Sequence, residues 1–240
     1  GVYLTGSKIN DFRLALSLLP KTSRPFLFCG FNGVVLEKFL EGMSWRLGYD
    51  LVCLNGPRDQ DALDQMLIGS PFSEQQTVVT GLRRNSEAVK TDANHKTRRR
   101  QLIFAEQVVM PRNRTDRTKM LRILADLARR SPDWEVLIKP RVAPDEVTFH
   151  KAAEHISQTL MESIVRTPSN LKLDYRPLPE LLSQARLMAT VSSTAFFDAL
   201  DFGCRPVVMA DFGMDPSNGS HIFAGSGVWR ALDVVEDLNV

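Results

Sequence analysis

The sequence has few cysteines, no long apolar run and little net charge, and each shortage excludes a class of protein. Its three cysteines, among 240 residues, lie far apart, so we predict buried, reduced thiols without disulfides. The longest apolar runs, such as residues 187–191, are far shorter than the roughly 20 residues that a transmembrane helix needs. Reduced cysteines favour a cytoplasmic protein, and the first residues do not have the apolar length of a signal peptide.

Patterns that would hold a metal ion or a dinucleotide are also missing. His150 and His155 are five residues apart, which is not the spacing of two zinc ligands on one helix face. Residues 4–8 and 29–33 place glycine between a predicted strand and a predicted helix, but their spacing does not match a Walker or dinucleotide-binding motif. We therefore expect no metal ion and no cofactor.

Positive charge is concentrated in one segment, although the net charge of the chain is only +2. Residues 83–117 contain ten lysines and arginines against four acidic residues. Such a segment suits the phosphates of lipid headgroups or of a polyanionic acceptor, and a solvated linker is the alternative. No aromatic residue precedes Phe104 within it, so we do not expect nucleic-acid binding.

Short β-rich runs alternate with longer amphipathic stretches, which predicts an α/β protein with parallel sheets. The hydrophobic signal disappears over residues 87–100, so we predict a basic linker there. It would join a partial N-terminal Rossmann-like domain, residues 1–86, to a C-terminal Rossmann-like domain, residues 101–240. Strands are predicted at residues 2–4, 25–29, 49–54, 76–80, 101–104, 135–138, 171–175, 187–191 and 206–209. Helices are predicted at residues 11–19, 35–46, 59–68, 117–130, 148–164, 179–185 and 194–202.

The strongest local signal for ligand binding lies at residues 191–200, where an apolar strand ends, three hydroxyl residues follow and a helix begins. Ser192, Ser193 and Thr194, which we call the hydroxyl turn, would place hydroxyl groups and free N–H groups at the carboxyl edge of the sheet. A helix start at such an edge attracts a phosphate. A simple helix cap is the alternative interpretation.

A second strand runs directly into Lys139-Pro140-Arg141, which we call the cationic segment. Proline ends a strand, and ligands of open parallel sheets bind at the carboxyl edge, so Lys139 and Arg141 would face the same anion as the hydroxyl turn. Arginine binds phosphate through two parallel hydrogen bonds and lysine as a point charge. We expect the two strands to be neighbours and to form one site; an ordinary turn is the alternative.

Other candidate residues carry weaker signals. Loops that follow the predicted strands of the first domain would form an acceptor-binding wall if they share one edge. Their candidate residues are Thr5, Ser7, Asn32, Gly33 and Asn55. The candidates for a catalytic acid or base are Asp11, Glu106 and His221, and Asp211 is also available.

Several segments of the second domain together resemble a known family. They are Lys139-Pro140-Arg141, Pro179-Glu180-Leu181-Leu182, Ala189-Thr190-Val191-Ser192-Ser193-Thr194 and Gly203-Cys204-Arg205-Pro206-Val207. They resemble the C-terminal half of GT-B glycosyltransferases, above all the bacterial cell-surface branch with its capsule and teichoic-acid polymerases, GT-B sialyltransferases and a functionally uncharacterised glycosyltransferase family. In those enzymes a Lys-x-His-Pro-like segment and a Ser-Ser/Thr turn hold the nucleotide phosphate of a donor that lies between two Rossmann-like domains.

The resemblance implies that Lys139, Arg141, Ser192, Ser193 and Thr194 bind a nucleotide-sugar donor. It also implies that residues 101–240 form the nucleotide-sugar-binding domain and that residues 1–86 form a partial acceptor domain. Arg141 stands where relatives often have histidine, so its phosphate contact would differ. The first domain is shorter than a full GT-B N-terminal domain, so we expect parts of the acceptor site and the catalytic base to lie outside this chain.

The implied activity is a metal-independent transfer of sugar from the donor to a cell-surface glycan or lipid acceptor, in polysaccharide biosynthesis. The implied location is the cytoplasm, with peripheral contact to the inner face of the membrane through residues 83–117. Two other functions stay open: a sugar-nucleotide epimerase, which shares the two-domain fold, and a non-catalytic module that binds nucleotides or polyanions.

Overall fold

The computed structural model divides into two compact units, Gly1–Arg83 and Arg84–Val240, and each contains a parallel sheet. It describes every residue except 3, 5, 21, 32, 36–37, 83–96, 108–109, 111–112, 145, 147–153 and 240. The predicted α/β class is confirmed. Most of the predicted linker, residues 87–100, lies outside the described residues, and Arg99 and Arg100 already belong to the first strand of the second unit.

The first unit is a three-stranded parallel sheet in the order β1-β2-β3. Its elements are α1 (Lys8–Ser17), β1 (Phe28–Cys29), α2 (Phe39–Ser44), β2 (Leu51–Leu54), α3 (Pro57–Leu67) and β3 (Thr77–Val79). One buried residue from each helix (Ile9, Met43 and Leu63) joins Val52 and Leu54 of the central strand in a single core. The sheet is therefore held by apolar contacts from all three helices.

The second unit contains a six-stranded parallel sheet. Its elements are β4 (Arg99–Ala105), α4 (Arg114–Arg130), β5 (Glu135–Lys139), α5 (Ile156–Ser163), β6 (Leu171–Leu173), α6 (Leu178–Gln184), β7 (Ala185–Thr190), α7 (Ala195–Asp201), β8 (Arg205–Met209) and β9 (Trp229–Arg230). The strands lie in the order β6-β5-β4-β7-β8-β9. Numbered within the unit, this order is 3-2-1-4-5-6, which is the order of the doubly wound dinucleotide-binding fold.

Helices cover both faces of this sheet. On one face, Leu121 and Leu124 of α4 pack in the same core as Leu102 of β4 and Val136 of β5. On the other face, Leu181 of α6 and Ala199 of α7 share a core with Ile103 and Met188. Burial on both faces explains why the central strands are almost continuously apolar in sequence.

Several elements differ in length from the prediction. Of the two described residues of the predicted first strand, Val2 and Leu4, Val2 pairs, through an isolated parallel bridge to Cys29. The helix predicted at residues 35–46 is the short α2, which begins after Lys38 in a left-handed conformation (φ 55°). Helix α4 begins at Arg114, three residues early, because the Asn113 side chain caps it by accepting the Asp116 N–H at 2.8 Å.

The basic segment is not a uniformly exposed strip. Arg98 is buried and donates to the carbonyl oxygens of Leu182 at 2.9 Å and Ala185 at 2.8 Å. Arg117 is also buried and donates to the Glu154 carbonyl oxygen at 2.5 Å. Residues 83–96 and Arg112 lie outside the described residues. Two of the ten cations therefore stabilise the interior of the second unit and do not face a partner.

The three cysteines are free and buried, as predicted. Burial raises the pKa of the Cys29 and Cys204 thiols to about 12, so neither supplies a reactive thiolate near neutral pH. Among the described residues, no helix combines the length and the apolar character needed to cross a bilayer.

Candidate functional site

The topological switch point of the second unit lies between β4 and β7. The chain moves from β4 to β5 and β6 on one side, and then returns to place β7 on the other side of β4. Phe104 and Ala189 are register partners, so β4 and β7 end together, at Ala105 and Thr190. Ligands of open parallel sheets bind in the crevice outside such a pair of carboxyl ends.

The cationic segment and the hydroxyl turn both lie at this edge, because they follow the carboxyl ends of parallel strands. The expectation that their strands are neighbours was wrong. β4 lies between β5 and β7, since the first strand of a doubly wound sheet is central. The two residues that follow β4, Glu106 and Gln107, therefore occupy the space between the predicted phosphate ligands.

Gln107 connects the end of β4 to the hydroxyl turn through its side-chain amide. Its Oε1 accepts the Thr190 hydroxyl at 2.9 Å and the Ser192 N–H at 3.2 Å, and its Nε2 donates to the Ser192 Oγ at 2.6 Å. Thr190 Oγ1 in turn accepts the Ser193 N–H at 3.1 Å. These four hydrogen bonds fix the hydroxyl turn across the switch point. They were not predicted from the sequence.

The network changes which groups of the hydroxyl turn can bind a ligand. The N–H groups of Ser192 and Ser193 are occupied, and the Ala195 N–H donates to the Ser193 Oγ at 3.2 Å. The expected array of free N–H groups is therefore wrong: of these residues, Thr194 alone keeps an N–H without a partner among the described residues. Ser192 is buried, Ser193 is half-buried and Thr194 is exposed. A phosphate would reach Thr194 and the Ser193 hydroxyl first.

On the other side of β4, Glu106 holds the cationic segment. Its N–H donates to the Lys139 carbonyl oxygen at 3.0 Å, and its Oε2 accepts the Arg141 N–H at 3.0 Å. The Arg141 side chain is exposed and its guanidinium has no partner among the described residues. Glu106, a candidate base from the sequence, therefore holds the backbone of the cationic segment.

Lys139 is half-buried, and its Nζ donates to the Pro140 carbonyl oxygen at 2.6 Å. Burial lowers the pKa of this ammonium, and the nearby carboxylates of Asp174, Glu106 and Glu146 only partly oppose the effect. A partly desolvated ammonium binds an anion more strongly than an exposed one, because less water screens the attraction.

His155 fixes the loop that follows the cationic segment. Its Nε2 lies 3.1 Å from the Val142 carbonyl oxygen, and its Nδ1 accepts the Ser157 N–H at 3.2 Å, which makes it the cap of α5. Its ring stacks on Tyr175 with centroids 6.3 Å apart. His155 therefore has a positioning role at this edge, and His150 lies outside the described residues.

The other candidate acids and bases have different surroundings. Asp11 is exposed on α1 of the first unit. The Asp211 carboxylate accepts the N–H groups of Leu232 at 3.0 Å and Asp233 at 2.9 Å, so it holds the C-terminal segment. The Nδ1 of His221 is buried without a partner among the described residues.

His221 belongs to a 3₁₀ turn (Ser220–Phe223) that reaches the start of α7. Phe223 of this turn packs on Phe196, two residues after Thr194, with ring centroids 4.7 Å apart. His221 therefore combines an Nδ1 without a partner among the described residues with a place in a turn that packs on the first helical turn of α7.

The acceptor-side candidates lie in loops of the first unit. Asn55 Nδ2 donates to the Gly33 carbonyl oxygen at 2.9 Å, so the loops after β1 and β2 meet. Ser7 is exposed before α1 and makes no capping bond, whereas Thr5 and Asn32 lie outside the described residues.

Arg46 connects two of these loops through its buried side chain and was not predicted from the sequence. Its buried guanidinium donates to the carbonyl oxygens of Gly30 at 3.2 Å, Gly42 at 2.7 Å and Leu4 at 3.3 Å. Its carbon Cζ also lies 3.9 Å from the centroid of the Phe31 ring. A buried arginine that binds three backbone oxygens fixes loop geometry, and no local sequence pattern announces it.

Comparison with solved structures shows that this fold is similar to that of GT-B glycosyltransferases. With an alpha,alpha-trehalose-phosphate synthase (UDP-forming) from Burkholderia vietnamiensis the TM-score is 0.51 at 9% identity, over 86% of this chain and 57% of that one. With the pneumococcal O-GlcNAc transferase GtfA, solved with UDP and GlcNAc, the TM-score is 0.49 at 13% identity, over 84% of this chain and 44% of that one. The chain thus spans about half the length of these structures, and the likeness to the synthase shows the fold.

The sequence comparison is more specific. A family profile described as "Putative glycosyltransferase (DUF6716)" matches residues 4–240, and the chain belongs to this family. A comparison with curated protein sequences gives no match. The resemblance to glycosyltransferases is thus confirmed at the level of family and fold.

The hydrogen bonds of Gln107 generate a test. We expect Gln107→Ala to lower the free energy of unfolding by about 1–3 kcal/mol, because it leaves the buried Thr190 hydroxyl and the Ser192 N–H without their acceptor. Urea unfolding measures the loss, and amide hydrogen exchange at Ser192 and Ser193 locates it. The matched control is Gln158→Ala, which removes an exposed amide bonded only to Glu162. Equal unfolding free energies and equal exchange in the two variants would show that the network does not fix the turn.

Proposed function

We propose that the second unit binds the diphosphate of a nucleotide-sugar donor outside the carboxyl ends of β4 and β7. The observation that carries the proposal is the arrangement of cations and hydroxyl groups at one edge. Glu106 fixes the first set and Gln107 the second, from the end of the strand between them. Membership of a glycosyltransferase family and the GT-B fold support the same reading.

In this proposal catalysis rests on stabilising the departing nucleotide phosphate. As the bond between the sugar and the phosphate breaks, negative charge grows on the phosphate oxygens. Lys139 and Arg141 lie where they would face that charge, and Thr194 would donate hydrogen bonds from its N–H and hydroxyl groups. Side-chain cations would thereby supply the charge that a metal ion supplies in other transferases, so we propose a metal-independent transfer.

The acceptor and the acid or base belong to the proposal as well. The joined loops of Gly33 and Asn55 would contribute to acceptor binding in the first unit, and His221 would handle a proton near the donor. We propose that the acceptor is a cell-surface glycan or lipid and that the reaction serves polysaccharide biosynthesis. The enzyme would then belong to the branch of GT-B glycosyltransferases that contains the capsule and teichoic-acid polymerases. The cytoplasmic location, with peripheral contact to the membrane, is part of the same proposal.

The two alternative functions differ in what they require. An epimerase would need a carboxylate and a histidine free to act on the sugar, and the Asp211 carboxylate is occupied by two backbone N–H groups. A non-catalytic module would bind the nucleotide without turnover. Incubation of a nucleotide-sugar with acceptor glycans, followed by measurement of free nucleotide and of product, distinguishes the transferase from the module.

Two substitutions test the donor site. A thermal-shift panel of CMP, CDP, UDP and GDP first selects the nucleotide. We then expect Lys139→Met and Thr194→Val each to weaken its binding by about 1–3 kcal/mol in titration calorimetry, because each removes one charge-assisted contact. Thr194 makes no capping bond, so its variant keeps the helix start intact.

The controls are Lys172→Met and Thr167→Val, which make the same changes at exposed positions of the same unit. Lys172 loses only a surface ion pair with Glu135, which is worth little. If both site variants bind the nucleotide as tightly as the wild type, the site assignment is wrong.

The lowered pKa of Lys139 predicts a pH dependence. Only the ammonium form attracts phosphate, so binding should be complete below the pKa of Lys139 in the folded protein and be lost as the pH rises through it. Because burial lowers this pKa from its ordinary value of 10.5, the loss should begin below pH 10.5. In Lys139→Arg the guanidinium keeps its charge, and affinity should persist to higher pH. Nucleotide titrations across alkaline pH make the comparison, and identical profiles for the two proteins would contradict the role of Lys139.

A further inference from the structure

A second cationic feature lies on the outer face of α4. It is a groove of about 490 Å³. Its walls are formed by α4 and Asp233 of the C-terminal segment, and the lining residues are Arg114, Thr115, Thr118, Lys119, Arg122, Ile123, Asp126, Arg130 and Asp233. We call it the α4 groove.

The cations of the α4 groove recur along one side of the helix. Arg114, Thr118 and Arg122 are four residues apart, so Thr118 places a hydroxyl group between two cations that lie about 12 Å apart along the axis. Lys119 and Arg130 add charge beside this row. A row of this kind offers several hydrogen-bond donors to one elongated anion, whereas an isolated surface lysine offers a single point charge.

Most of this charge is not neutralised within the described part of the chain. Lys119 Nζ donates to the Asp211 carbonyl oxygen at 2.6 Å, and Arg130 donates to the Leu232 carbonyl oxygen at 3.1 Å. Both partners are uncharged, so both cations keep their full charge while the bonds hold them against the groove. Arg114, by contrast, forms ion pairs with Glu162 and Glu154.

The acidic residues of the α4 groove compensate only part of the charge. Asp126 is paired with Arg129, which lies outside the lining, at 2.5 Å. Asp233 therefore remains as the one lining carboxylate without an ion-pair partner among the described residues. Arg122 is exposed and has neither a hydrogen-bond nor an ion-pair partner there. Lys119, Arg122 and Arg130 thus outnumber Asp233, the one lining carboxylate without an ion pair in the part that the structure describes, and the groove carries an excess of positive charge.

We propose that the α4 groove is a second anion-binding site, for a ligand that carries phosphate groups with more than one negative charge. The hydroxyl groups of Thr115 and Thr118 would add neutral donors to the cations. The same chemistry is offered by a free diphosphate and by the phosphate headgroup of an anionic lipid. The inference does not rest on the proposed donor site, because the two sites share no residue.

The test measures binding of inorganic pyrophosphate to the full chain by titration calorimetry. A parallel assay measures sedimentation with vesicles of phosphatidylcholine alone and with vesicles that also contain phosphatidylglycerol. We expect Arg122→Glu to weaken the binding of pyrophosphate, of anionic vesicles or of both by about tenfold, as expected when a charge-assisted contact is lost. Arg122→Lys should restore most of it. The matched control is Arg166→Glu, an equal change of charge at an exposed position of the same unit outside the groove.

Each result bears on the proposal. Loss in Arg122→Glu but not in Arg166→Glu supports it, and the ligand that is lost, free diphosphate or vesicle, identifies the source. Binding unchanged by Arg122→Glu, equal loss in both variants, or no binding of either probe by the wild type would overturn it. Nucleotide binding at the donor site should be the same in Arg122→Glu and in the wild type. If pyrophosphate binding is lost in Lys139→Met and kept in Arg122→Glu, the anion binds at the donor site and the proposal is wrong.

Discussion

The candidate site depends on one side chain, the amide of Gln107, at the end of the central strand. Two parallel strands that end together leave their next residues without sheet partners, so the loops beyond them need other hydrogen bonds. Gln107 provides them for the loop after β7 by accepting from Thr190 and Ser192 and donating to Ser192. The turn is thereby fixed before any ligand arrives, which lowers the entropic cost of binding.

The same strand end organises the electrostatics of the site. Glu106, adjacent to Gln107, accepts the Arg141 N–H and contributes with Asp174 and Glu146 to the field around Lys139. Burial of Lys139 still lowers its pKa, so its ammonium gains more from an incoming phosphate than an exposed lysine would. The cationic segment and the hydroxyl turn are thus held by the two consecutive residues that follow one strand, although they lie far apart in sequence.

Much of the second unit was predictable, because apolar runs and helical periodicity report local structure directly. β5, β7 and α4 fall close to their predicted positions, and the carboxyl-edge location of Lys139 and Ser193 followed from them. The strand order could not be predicted in this way, because it depends on pairing between distant segments. β5 and β7 were therefore expected to be neighbours, with no strand between them. Gln107 and Arg46 were not predicted, because a single polar residue produces no periodic pattern in the sequence. The internal bonding of the hydroxyl turn was missed because its partners come from another strand.

The most direct test of the account is a structure of the chain with a bound nucleoside diphosphate. The account predicts that the diphosphate lies outside the carboxyl ends of β4 and β7, with its oxygens within hydrogen-bond distance of Thr194 and of at least one of Lys139 and Arg141. A diphosphate bound elsewhere in the second unit, with the Gln107 network and the hydroxyl turn untouched, would contradict it.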